Sequence, residues 1–132
     1  MSRKTLVSLL AALTTSLGLL SAPALAGPSD QHDLTPKHGG VVIEAKNMDY
    51  ELVAKADRLS LHVRDHGKAF DISKASAKLT LLTGVAKSDV QLSPAGDRLE
   101  ARGNFTVSAG TKAVAVVSWP GKAPVTARFT VK

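Results

Sequence analysis

The side chains able to hold a ligand in this 132-residue chain are four histidines, Met48 and a scatter of carboxylates, because cysteine is absent. Imidazole nitrogen backed by carboxylate oxygen suits zinc or copper(II), and the Met48 thioether suits the softer copper(I). The lack of thiols excludes a disulfide scaffold, thiolate metal sites and cysteine catalysis together. Two histidines, His32 and His38, fall in the segment GPSDQHDLTPKHGG with Asp30 and Asp33, the composition of a loose cation-binding arm. The other two, His62 and His66, are four apart, which makes them neighbours on a helix but places them about 13 Å apart on an extended strand. Only a turn at 65–68 could bring them together.

Each group also has a plainer reading. His62 alternates with Leu61 and Val63, so it points outward from a strand whose odd-numbered residues face a core, and His66 reads as an exposed turn residue. Glu44, Asp49 and Glu51 could offer hard oxygen ligands, yet they alternate with apolar residues and are expected to decorate an outer face. Tyr50 is expected to be partly buried with its hydroxyl reaching water, and Trp119 to sit at the edge of a core. His38, His66 and Met48, at strand ends where different strands meet, remain the candidate ligands for a weakly held copper or zinc ion, ahead of His32 and His62. An amino-terminal copper(II) site is excluded at Gly27-Pro28-Ser29, where Pro stands second and no His stands third.

Catalytic patterns are missing: the chain has no G-x-S-x-G, no H-E-x-x-H and no Gly-rich phosphate loop. The adjacent pair Asp65-His66 does not make a triad, so the protein reads as a non-enzyme. Its basic residues are spread over many segments without a row of aromatic rings, which argues against a nucleic-acid partner. The mild positive charge suits an anionic envelope surface or an acidic partner protein.

The elements that must position these groups follow from length and periodicity. Residues 1–26 have the order of an export signal: Arg3 and Lys4, an apolar stretch softened by hydroxyls, and Ala24-Leu25-Ala26 as a small-x-small cleavage site. Removal of those two cations lowers the formal charge from +6 to +4 and leaves 106 residues, enough for one domain with a real core. No second hydrophobic segment follows, so the exported form is expected to be soluble, periplasmic, monomeric and without a transmembrane segment. Residues 27–40 read as a flexible entry segment and 41–132 as the domain.

Eight strands are expected, at 41–44, 50–55, 58–64, 78–83, 90–93, 98–102, 113–119 and 125–131, with Gly- or Pro-bearing turns between them. This pattern predicts an all-β domain, an immunoglobulin-like antiparallel β-sandwich of seven to eight strands, with a small barrel as the alternative. The expected interior is Leu59, Leu61, Val63, Leu79, Leu81, Leu92, Leu99, Phe105, Val114, Val116 and Phe129.

At His38-Gly39-Gly40-Val41-Val42-x-Glu44, Tyr50-Glu51-Leu52-Val53 and Leu59-x-Leu61-x-Val63-x-Asp65-His66-x-Lys68, the chain resembles a small periplasmic β-sandwich domain of bacterial heavy-metal efflux systems, found alone or near the N-terminus of the periplasmic adaptors of tripartite pumps. Leu92-x-Pro94-Ala95-Gly96-Asp97-x-Leu99 and Ala127-Arg128-Phe129 extend the resemblance over 37–132. It implies a detached accessory domain without the helical hairpin and barrel of a full adaptor. Two functions are therefore expected from the sequence. One is a periplasmic accessory of copper- or zinc-type efflux that binds the ion weakly; the other is a metal-free module that docks an efflux-pump adaptor or another envelope protein.

Overall fold

A computed structural model describes residues 33–132. The expected leader, Gly27-Pro28-Ser29 and His32 lie outside those residues. Nine strands and no helix are present among them: β1 Val41–Ala45, β2 Met48–Ala54, β3 Arg58–Asp65, β4 Lys68–Ala69, β5 Ser76–Thr83, β6 Ala86–Ala95, β7 Arg98–Arg102, β8 Lys112–Ser118 and β9 Val125–Thr130. No helix of the described residues is long and apolar enough to cross a membrane.

All pairings are antiparallel. The path runs β1-β2-β3-β7-β6-β5-β8-β9, with the short β4 added to β3. Tight hairpins set the register: Ala45 pairs with Met48 across Lys46 and Asn47, whose φ angles of 51° and 63° are those of a primed two-residue turn matched to strand twist. The same device joins β3 to β4 at His66 (φ 49°) and Gly67.

The long strand β6 changes partner along its length, with 86–92 against β5 and 93–95 against β7. It therefore joins the two halves into one bent sheet, and β1 approaches β9 to leave it nearly barrel-shaped. The all-β expectation holds, and the strands form one continuous hydrogen-bonded path.

The core takes Tyr50 and Leu52 from β2, Leu59, Leu61 and Val63 from β3, and Leu79 and Leu81 from β5, with Leu92, Leu99, Val117 and Phe129 completing it. Two expected core residues face the other way. On β8, Ala113, Ala115 and Val117 point inward while Val114 is half-buried and Val116 is exposed. Register explains the choice: Leu81 pairs with Ala113 and Leu79 with Ala115, so a small side chain lies beside each large one and the interior fills without overpacking. Phe105 is half-buried and packs at the rim of the core, its N–H bonded to the Ala56 carbonyl at 2.7 Å. Tyr50 is fully buried, contrary to expectation, with no partner for its hydroxyl among the described residues, and burial pushes its pKa up to about 12. Trp119 meets the core edge as expected, its ring edge-on to Phe70 at 5.7 Å.

Strand β3 is buried on both faces, from Leu59 to Arg64. Its even-numbered residues Ser60, His62 and Arg64 point away from the core yet are only 2%, 7% and 5% exposed. Chain without secondary structure, 33–40, runs over that outer face and supplies the cover for His62 and Arg64.

Candidate functional site

The cover is held by one carboxylate. Glu51, opposite His62 on the outer face of β2, accepts the backbone N–H of Lys37 at Oε1 (3.0 Å) and those of His38 (2.8 Å) and Gly40 (3.0 Å) at Oε2. Its Oε1 also accepts Arg64 Nη1 at 3.2 Å, and Arg64 Nη2 reaches the Thr35 carbonyl at 3.4 Å. Burial alone would raise the Glu51 pKa; the N–H groups of Lys37, Gly40 and His38 outweigh it, and the net value lies below 4.5. Glu51 is thus an ionised carboxylate inside a ring of donors, which is how a buried charge becomes tolerable.

The His-Gly-Gly sequence is read directly in this geometry. Gly39 has φ +76°, a left-handed conformation that side chains disfavour, and a Cβ on Gly40 would lie 2.3 Å from the Leu52 carbonyl oxygen. The two glycines let the chain turn and lie against β2, and that leaves His38 flat on His62. Their ring centroids are 3.7 Å apart and their planes 9° from parallel.

Beside the stacked pair opens a cleft of about 200 Å³, lined by His38, Val53, Lys55, Arg58, Ser60, His62 and Arg98. Arg98 is already balanced, with its Nε 2.6 Å from Glu100 and its Nη1 3.4 Å from Asp97. Arg58 Nε and Ser60 Oγ are buried with no partner among the described residues. The His62 pKa is lowered from 6.5, by burial first and by the charge of His38 second, with Arg98 adding to it and Asp97 and Glu51 opposing. At neutral pH its imidazole is therefore uncharged, able to donate at one nitrogen and accept at the other.

Of the three ligands expected from sequence, only His38 reaches this cleft. Met48 is half-buried at the start of β2, packed on the core, and His66 is exposed on the β3–β4 turn with Nδ1 2.5 Å from Asp65 Oδ1. Among the described residues no group of three or more His, Cys, Asp or Glu is arranged to hold a metal ion. The stacked pair favours one-point attachment, since an ion in the plane of one ring at about 2 Å lies off the plane of the other unless the rings part. Chemically, the cleft offers two imidazoles, one hydroxyl and three cationic side chains, with no carboxylate in its lining.

Asp49 and Glu51 do lie on the outer face as alternation requires, but both are only 1% exposed. Sequence reasoning missed Glu51, Ser60 and Arg58 as site residues. The available signal was the polar outer row of β3, Ser60-x-His62-x-Arg64, on a strand whose other face is wholly apolar. No family model, curated protein or solved structure matches the chain.

Proposed function

We propose that this protein is a non-enzymatic binding module of the bacterial periplasm, an accessory to heavy-metal efflux or homeostasis that receives its ligand in the His38–His62 cleft. The observation that carries this reading is the stacking of His38 on the buried His62 beneath a segment clamped by Glu51. A domain that served only as packing material would gain nothing from an arginine, a serine and two imidazoles gathered around an open cleft. The leader-like start of the sequence and the resemblance to efflux-associated domains support the compartment and the metal connection.

On this reading a copper- or zinc-type ion is cargo, taken weakly through the imidazole of His38 with His62 behind it. His66 and Met48 belong to other parts of the surface and are not needed. Titration of the purified protein with zinc, copper(II) and copper(I), followed by NMR of the histidine rings and the Met48 methyl group, tests it. The expected result is that His38 and His62 respond first and that His38→Ala weakens binding. A response confined to His66 or Met48, or no binding tighter than about 1 mM, would overturn the metal assignment.

A further inference from the structure

We propose that the His38–His62 cleft also binds a small tetrahedral oxyanion of the phosphate and sulfate class, held by Lys55, Arg58, the Ser60 hydroxyl and imidazole N–H. This goes beyond the metal reading and adds to its two histidines Lys55, Arg58 and Ser60, which that reading does not use. Charge is the first argument. Arg98 is neutralised by Glu100 and Asp97, whereas Lys55 and Arg58 have no carboxylate partner among the described residues. The cleft therefore keeps uncompensated positive charge, and no acidic side chain lines it to repel an anion.

Unmet hydrogen bonding is the second argument. Ser60 is 2% exposed, and its Oγ and the Arg58 Nε are buried without partners. Buried donors left unpaired are costly, and oxygens of a bound anion can accept from both at once. Size is the third: about 200 Å³ lies below the range of clefts that enclose drug-sized ligands, and suits a compact anion.

The test uses sulfate, with phosphate as a second probe, and calorimetry and NMR on the purified protein at pH 7.5. Sulfate should bind and should perturb His62 and the backbone around Ser60. Ser60→Ala, nearly isosteric, and Lys55→Gln, on the surface, should each lower the affinity by about tenfold without lowering the thermal midpoint. A parallel arm sediments the protein with phosphatidylglycerol vesicles and with phosphatidylcholine vesicles. Solution binding lost in both variants assigns a free anion; sedimentation with phosphatidylglycerol alone, lost in the same variants, assigns a lipid phosphate. Sulfate and phosphate affinity unchanged in both variants, or no binding in either arm, would overturn the proposal. Zinc binding that persists while sulfate fails leaves the metal reading standing, so the two failures are distinguishable.

Discussion

At the residue scale, the arrangement turns on Glu51. Four donors converge on one buried carboxylate, and replacing charge by a neutral amide would weaken each bond and turn amide hydrogens toward two N–H groups. Glu51→Gln is expected to cost about 1–3 kcal/mol and to speed amide exchange at Lys37, His38 and Gly40 while leaving β5 and β8 protected; hydrogen exchange by NMR checks both. The same carboxylate makes stability depend on pH. Its folded pKa lies below the ordinary 4.5, so its contribution is fully present above that value and is lost as pH falls through the folded one. The thermal midpoint of wild type should therefore drop as pH falls below about 4.5, and that of Glu51→Gln should drop less. Alternation alone told the side on which Glu51 stands. It could not tell that the side is covered, because the cover is a segment with no periodicity of its own, and its bonds to Glu51 span 11 to 14 residues.

At the element scale, β3 is the strand that both sides of the molecule use. Leu59, Leu61 and Val63 face the core, and Ser60, His62 and Arg64 carry the clamp and the cleft. Its strong two-residue period made its place and its inward face legible, and the boundaries expected for β7 were met to the residue. Leu61 is fully buried, so Leu61→Ala is expected to cost about 2–5 kcal/mol in chemical denaturation, and a loss under about 0.5 kcal/mol would contradict its place in the core. Strand β8 was harder to read. Its continuous apolar run, Ala113 to Val117, gives no period, and bulk pointed to the valines where pairing with Leu79 and Leu81 places the alanines inside. Gly40→Ala tests the entry segment as an element. The added Cβ meets backbone at 2.3 Å, which cannot yield as a flexible side chain would, so the segment should lift and the ring contact between His38 and His62 should be lost. The expected readout is faster exchange at the amides bonded to Glu51, with the core strands unchanged.

At the scale of the whole molecule, the bent and nearly closed sheet does two jobs with one polypeptide. Its inside supplies stability, and the outer face of β2-β3-β7, roofed by the chain that precedes β1, carries the candidate cleft. The turn and strand signals made the all-β architecture legible. The partner change within β6 was not, since neighbouring residues of one strand choose different partners through long-range closure. Likewise His38 was legible as a candidate ligand, but its neighbour His62 was not, because their contact depends on where the entry segment folds back. The account's central claim is that ligands enter at the stacked histidines. Its most direct test is the NMR spectrum of the His38, His62 and His66 rings during addition of zinc and, separately, of sulfate at pH 7.5. The account predicts that His38 and His62 shift together under either ligand while His66 stays in place; shifts at His66 alone, or none at His38 and His62, would contradict it.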